Sequence, residues 1–271
     1  MGANSKIEWT NHTFNPWWGC LKVSEACKNC YAEAWAKRVG QKVWGQTAPR
    51  RFFSDKHWNE PIKWNRRLER VGLRERVFCA SMADVFEDRD DLLSHRDRLW
   101  DLIRETPNLD WLLLTKRSQN IAQFLPEDWN NGYENVWLGT TVENQKRAEE
   151  ALPHLTRIPA KVRFISAEPL LEEINIATYM PKLQWVISGG ESGPKARPAS
   201  PSWFRRLMLD CMAHDVAFHF KQWGDWAPGD GENLVKIRIK AADGTEMFKV
   251  GKKKAGRVLD GETHNGLPLA S

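Results

Sequence analysis

Trp111-Leu112-Leu113-Leu114 is a short apolar run that ends abruptly in Thr115-Lys116-Arg117. Four apolar residues with no polar alternation suit a strand buried on both faces of a parallel sheet, and the polar triplet then lies at the strand's carboxyl end. Outward from this stretch the same unit recurs. Val77 to Ala80 runs into Ser81-Met82-Ala83-Asp84, Val136 to Leu138 towards Thr140-Thr141-Val142-Glu143-Asn144, and Val162 to Ile165 into Ser166-Ala167-Glu168-Pro169. Trp185 to Ile187 precedes Ser188-Gly189-Gly190-Glu191-Ser192-Gly193, and Val216 to Phe220 precedes Lys221-Gln222. The runs start 34, 25, 26, 23 and 31 residues apart, room for a helix and two loops each time.

Helical patterns fill the gaps. Asp91 to Glu105 places Leu92, Leu99, Leu102 and Ile103 on one side, Pro61 to Val71 begins with a proline suited to a first turn, and Ser202 is placed to cap a helix through Trp203 to His214. With Trp9 to Phe14 as a first strand, right-handed crossovers predict an α/β chain: a full or partial barrel, or an open doubly wound sheet. Periodicity does not choose between them. In either, ligands bind at the carboxyl ends of the strands, which makes the polar stretches above a candidate site.

The chain has 271 residues, 41% of them apolar, enough to bury a sizeable core. No apolar stretch approaches the length of a membrane span, and the first residues lack the apolar core of a signal peptide, so a cytoplasmic protein with no membrane partner is expected. From Gly224 onward the composition changes to Gly-Asp turns, an alternating run from Leu234 to Lys240 and three consecutive lysines. The expected organisation is a main domain over residues 1–224, with a basic insertion at about 37–76, and a small hairpin-bearing appendage over 225–271.

Net charge is +5, but residues 37–76 hold twelve Lys or Arg against four acids. Aromatic residues lie among them, and fifteen tryptophans against three tyrosines add to a composition that suits phosphate neutralisation and base stacking. Arg50, Arg51, Trp58, Trp64, Arg66 and Arg67 are the nucleic-acid candidates of this segment, with a solvated basic helix face as the plain alternative.

Cys20, Cys27 and Cys30 crowd into eleven residues, while Cys79 and Cys211 stand apart. In a reducing compartment such clustering indicates metal or redox chemistry rather than disulfides. Three thiolates can hold three irons of a [4Fe–4S] cube, or join a fourth ligand such as His12 or His57 around zinc. Spacing alone leaves both open. A loop that follows the first strand of a βα series opens onto the polar rim, where an open-coordination cofactor belongs.

Asn15-Pro16-Trp17-Trp18-Gly19-Cys20, the Cys-x6-Cys-x2-Cys-Tyr loop, Ser81-Met82-Ala83-Asp84, Leu114-Thr115-Lys116-Arg117, Ser166-Ala167-Glu168-Pro169-Leu170-Leu171, Gly189-Gly190-Glu191-Ser192-Gly193 and Lys221-Gln222-Trp223-Gly224 together resemble the phage Gp37/Gp68 family, also called DUF5131. That family is a radical-SAM-like group of phages and bacteria, and the resemblance spans roughly residues 5 to 260. The cysteine loop has three more residues between its first two cysteines than the commonest radical SAM loop. The resemblance implies a partial (β/α)6 barrel in which Cys20, Cys27 and Cys30 hold a [4Fe–4S] cluster whose fourth iron binds S-adenosylmethionine. One electron then yields methionine and a 5′-deoxyadenosyl radical that takes hydrogen from substrate, with an electron donor such as flavodoxin or ferredoxin.

Under that resemblance Tyr31 packs near the adenine, Ser81 and Asp84 accept from the amino group or ribose, and Lys116 or Arg117 pairs with the methionine carboxylate. Thr141, Glu143 and Ser166 bond the ribose or carboxylate, and Gly189 and Gly190 let backbone approach the methionine. Glu168 and Glu191 are the general acid/base or substrate-anchoring candidates, each against the alternative of a rim ion pair, and Cys79 is a candidate hydrogen donor. The expected substrate is a base in DNA, hypermodified, rearranged or repaired as in spore-photoproduct repair. A small-molecule or protein substrate, and a non-enzymatic Cys3His zinc module, are the alternatives.

Overall fold

The computed structural model describes residues 2–229 and 237–268. The chain divides into two compact units, one formed by residues 1–23, 32–140 and 153–163, the other by 24–31, 141–152 and 164–271.

In the first unit the elements follow in order: β1 (His12–Thr13), β2 (Trp17–Trp18), α1 (Tyr31–Arg38, entered from the other unit), β3 (Arg51–Phe52), α2 (Asp55–Val71), β4 (Glu75–Cys79), α3 (Leu93–Glu105), β5 (Leu109–Thr115), α4 (Ile121–Phe124) and β6 (Val136–Thr141). Val77 of β4 stands between His12 of β1 and Trp111 of β5, and Trp111 in turn pairs with Val136 of β6, all in parallel register. Trp111, Leu112 and Leu113 are wholly buried, as expected of a strand covered on both faces. β2 and β3 form a separate two-stranded antiparallel sheet.

Helix α2 begins six residues earlier than the proline signal indicated, and Pro61 lies inside it. Trp58, Pro61, Trp64, Asn65 and Leu68 form its buried face, so starting the helix at Asp55 is what places Trp58 on the core side, 2% exposed. Burying an indole removes roughly 150–250 Å² from water, roughly 4–6 kcal/mol at about 25 cal/mol per Å², more than the ~3 kcal/mol that an interior proline costs. The helix closes on Gly72 at φ +66°, whose N–H bonds the carbonyls of Leu68 and Glu69.

The second unit contains most of α5 (Gln145–Leu155) and β7 (Val162–Ala167), then β8 (Trp185–Gly189), α6 (Pro201–Ala213), β9 (Ala217–Gln222), β10 (Trp226–Pro228), β11 (Arg238–Lys240), β12 (Glu246–Lys249) and α7 (Lys252–Ala255). β7 pairs in parallel with β8 and β8 with β9, the latter with a register shift at Ser188/Gly189. Phe164, Trp185, Phe204 and Phe220 are fully buried in this unit. α6 starts at Pro201, not after Ser202. The N–H of Ser202 in its first turn is capped by the Asp243 carboxylate at 3.0 Å, a residue of the tail that local sequence does not announce.

The appendage is β-rich, with β10, β12 and β11 antiparallel in that spatial order. The first part of the expected Leu234 to Lys240 run lies outside the described residues, and its last three residues are β11. The parallel strand order is β1-β4-β5-β6-β7-β8-β9. It never reverses direction, so the winding is that of a barrel-type sheet; a doubly wound sheet would switch order partway. Among the described residues no helix is long and apolar enough to cross a membrane.

Candidate functional site

In the first unit, the stretch leading to Cys20 is pinned by Asn15, a residue outside the expected site set. Its Oδ1 accepts the Met82 N–H at 2.7 Å and its Nδ2 donates to Ser81 Oγ at 3.1 Å, while the Gly19 N–H reaches the Met82 carbonyl at 3.0 Å. Ser81, half-buried, thus serves the strand ends directly.

Asp84 does not stand free to receive a ligand. Its carboxylate accepts the Thr115 hydroxyl at 2.6 Å, the Phe86 N–H at 3.0 Å, the Lys116 N–H at 3.1 Å and Arg117 Nη1 at 2.8 Å. Four donors occupy the roughly four lone-pair sites of a carboxylate. Arg117 is likewise committed, because Nη1 also lies 3.5 Å from Cys20 Sγ and Nη2 donates to the Leu21 carbonyl at 2.7 Å. Asp84 and Arg117, both expected at the cofactor's polar groups, are instead a buried pair that holds the first cysteine. Burial drives the Cys20 thiol up to about 12, Asp84 adds to the rise, and Arg117 opposes it. Lys116 is half-buried beside this pair.

In the second unit, the stretch with Cys27 and Cys30 is held by carboxylates. Ala26 N–H donates to Glu143 Oε1 at 3.2 Å, and Asn29 Nδ2 donates to Glu191 Oε2 at 3.1 Å and to the Lys195 carbonyl at 3.0 Å. Arg197 clasps Glu191 through Nη2 at 2.7 Å and Nε at 2.9 Å, and its own backbone N–H adds a third bond at 2.8 Å. The same guanidinium donates to the Glu25 carbonyl at 3.1 Å. Burial alone would raise the Glu191 pKa, but these donors hold it below the usual carboxylate range. Glu191 is therefore not poised as a general acid or base; the rim-ion-pair alternative is what the structure contains. Asn29 and Arg197 escaped the sequence reading because neither lies next to a strand end.

Glu143 is different. It is fully buried, and its Oε2 has no hydrogen-bond partner among the described residues. Glu168 lies with both oxygens 2.8 Å from Lys221 Nζ, and Oε1 also accepts Gln222 Nε2 at 3.2 Å. Thr141 and Ser166 are buried, and the Ser166 carbonyl accepts the Val142 N–H at 3.1 Å. Tyr31, first residue of α1, is 59% exposed. Gly190 has a packing reason to be glycine, since a Cβ there would sit 2.0 Å from the Trp223 carbonyl oxygen. That close approach belongs to the neighbouring strand end, not to a ligand. At Gly189 the same atom would meet Gln222 O at 3.3 Å and Glu168 at 3.5 Å. Cys79 ends β4 fully buried, and burial pushes its thiol up so that it keeps its proton.

All five cysteines are free, and Cys20, Cys27 and Cys30 are partly exposed. Three unpaired thiols, one facing a guanidinium N–H, fit a thiolate-bound cluster in their chemistry. Among the described residues no three Cys, His, Asp or Glu side chains already converge as a metal-binding group. The histidines weighed as a fourth zinc ligand are engaged elsewhere: His12 Nε2 lies 2.6 Å from Glu75 with its ring stacked on Trp64, and His57 Nε2 lies 2.9 Å from the Asn15 carbonyl with its ring stacked on Phe14.

The basic segment divides. Arg50 is buried, bound to Glu87 at 2.6 and 3.1 Å and to the carbonyls of Val43, Gly45 and Ala48. Trp58 and Trp64 are core residues of α2. These three cannot meet a nucleic acid, because the apolar face of α2 and the Glu87 carboxylate take them inward. Arg51, Arg66 and Arg67 are exposed, Arg67 paired with Glu75.

No curated protein sequence matches the chain. A solved structure of a cysteine-to-alanine mutant of spore photoproduct lyase is similar at 11% identity and a TM-score of 0.50, over 94% of this chain and 72% of that one. The likeness shows the fold, an α/β chain with a parallel half-barrel sheet as the sequence resemblance implied. The family described as "Protein of unknown function (DUF5131)" matches residues 4–268, nearly the whole length, and the chain is a member of that family.

Proposed function

We propose that the protein is a radical SAM enzyme that acts on a base in nucleic acid. The observation that carries the reading is the holding of the stretches that bear the three free cysteines: Arg117 on Asp84 grips Cys20, while Glu143 and Arg197 bond the backbone of Ala26 and Glu25 and Glu191 accepts from the Asn29 side chain. The half-barrel fold, shared with an enzyme named spore photoproduct lyase, supports it.

In this reading Cys20, Cys27 and Cys30 hold the [4Fe–4S] cluster. When bound, the cluster supplies the electron that splits S-adenosylmethionine into methionine and a deoxyadenosyl radical able to take hydrogen from substrate. The chain's own part is placement. Arg117 keeps a positive N–H on the Cys20 sulfur, which favours the thiolate that ligation requires. Buried Glu143, with Oε2 unclaimed, is the group placed to accept from an amino or ribose donor, and Thr141 and Ser166 lie on the same rim as polar neighbours. Glu168, held by Lys221, anchors substrate. Tyr31 offers an exposed ring to the adenine. A flavodoxin or ferredoxin is the electron donor in this scheme.

The test is anaerobic reconstitution with iron, sulfide and zinc analysis, then reduction with S-adenosylmethionine present. About four irons per chain, as a cubane requires, and reductant-dependent 5′-deoxyadenosine are expected. One zinc per chain with neither iron nor deoxyadenosine would overturn the reading.

A further inference from the structure

Helix α2 carries its cations in one stripe. At 3.6 residues per turn, Lys56, Lys63, Arg66 and Arg70 lie within roughly 80° of one another, on the side opposite the buried Trp58, Trp64 and Leu68. All four are exposed. Lys63 is 2.7 Å from Glu60, whereas among the described residues Lys56, Arg66 and Arg70 have no acidic partner. Asp55 is matched by Arg98 of α3 and Arg67 by Glu75 of β4, while Glu69 is an exposed acid flanking the stripe next to Arg66. From Lys56 to Arg70 the stripe is roughly 21 Å long, the span of about six phosphates along one strand at 3.4 Å each.

The chain just before α2 adds a different chemistry. Arg51 on β3 has no acidic partner among the described residues, and its guanidinium carbon lies 4.6 Å from the ring centre of Trp18 and 5.4 Å from that of Phe53. Phe52, 39% exposed, stacks one face on His95 with ring centres 4.0 Å apart. A guanidinium lying over aromatic rings and an exposed phenyl that follows it in the chain are groups on which unpaired bases stack, and the cations of α2 that come next neutralise a backbone.

We infer that Arg51 and Phe52, with the Lys56, Lys63, Arg66, Arg70 stripe, form the docking surface for a single-stranded or locally unpaired nucleic-acid segment. This deepens the nucleic-acid reading above, and it transfers that role from the buried Arg50, Trp58 and Trp64 to the residues that face solvent. Unpaired rather than duplex nucleic acid is the occupant because the aromatic shelf has work only where a base is out of its stack.

The test is fluorescence anisotropy of a labelled single strand of about a dozen nucleotides, within the usual site sizes, titrated with salt and with no S-adenosylmethionine or reductant present. Four backbone contacts give a log–log salt slope of about −2.8. Lys56→Gln, Arg66→Gln and Arg70→Gln together should lower affinity at least tenfold and flatten the slope by about 2. Arg51→Ala with Phe52→Ala should lower single-strand affinity about tenfold while changing the slope by about 1 or less and leaving the weaker duplex binding nearly unchanged. Unaltered affinity in the triple variant, with its circular dichroism spectrum intact, would overturn the surface. Binding to phosphatidylserine vesicles with no binding to the oligonucleotide would overturn the occupant. Since the assay needs no cleavage chemistry, its failure and the failure of the radical SAM reading are separate results.

Discussion

Nη1 of Arg117 lies 3.5 Å from Sγ of Cys20, and the same nitrogen is 2.8 Å from the Asp84 carboxylate. A cation held by a buried acid is thereby presented to the first of the three closely spaced cysteines. Both side chains of the ion pair are 6% exposed, so neither is screened by water.

Arg117→Met leaves Asp84 charged, buried and unpaired, and should cost about 3–5 kcal/mol in denaturant unfolding. Arg117→Lys keeps a charge but loses the fork that reaches Asp84, Cys20 and the Leu21 carbonyl together. It should therefore retain more stability than Arg117→Met while binding less iron than the unaltered protein on reconstitution. Equal iron in both would count against a role for Arg117 at the thiol.

Arg50 and Glu87 form the other buried pair, with side chains 0% and 4% exposed. Arg50→Met should destabilise by about 3–5 kcal/mol, and pairing it with Glu87→Leu should recover most of that, because no lone buried charge then remains. Oligonucleotide affinity of the folded fraction should not change, in contrast to the exposed-stripe variants.

The Glu191 carboxylate, held below the usual range by Arg197 and Asn29 against the opposing effect of burial, stabilises the fold above its unfolded pKa of about 4.3. That contribution is lost as pH falls through the lower folded value. Glu191→Gln should lower stability by about 1–3 kcal/mol near neutrality and flatten the acid limb of the stability curve below about pH 4, measured by urea unfolding across pH.

His12, His57 and His95 each lie against an aromatic ring, and burial lowers all three pKa values. Glu75 opposes the shift at His12 while Arg67 adds to it; at His57 the Asn15 carbonyl and Glu60 oppose it; at His95 Arg98 adds to it and Asp91 opposes it. The unfolded chain then binds more protons than the folded one below about pH 6.5, so stability falls with pH from there towards each folded value. Thermal unfolding at about pH 7.5 and about pH 5.5 should show a lower midpoint at the acid end, with a smaller drop in His95→Gln. A flat profile would contradict neutral, buried imidazoles.

Several of these relationships are invisible along the chain. The βα spacing and the polar strand ends are local, so the parallel strands and the rim could be read from Val77, Trp111, Val136, Val162, Trp185 and Val216 onward. The proline at position 61 misled because its cost is local, whereas the burial of Trp58 that outweighs it depends on packing against the rest of the first unit. Asp84, Glu143 and Glu191 were legible as rim carboxylates, but not the partners that occupy them, for Arg117, Ala26 and Arg197 lie 33, 117 and 6 residues away.

The basic segment shows the same division most clearly. Composition places twelve cations and several aromatics between residues 37 and 76 and establishes a surface with a surplus of positive charge. It says nothing of which side chains face water. Folding sent Arg50 to Glu87 and Trp58 and Trp64 into the core, and left Arg51, Phe52, Lys56, Arg66 and Arg70 outside. Periodicity and charge balance are properties of neighbours in sequence and survive in any conformation, whereas desolvation and ion pairing exist only once distant residues are brought within a few ångströms.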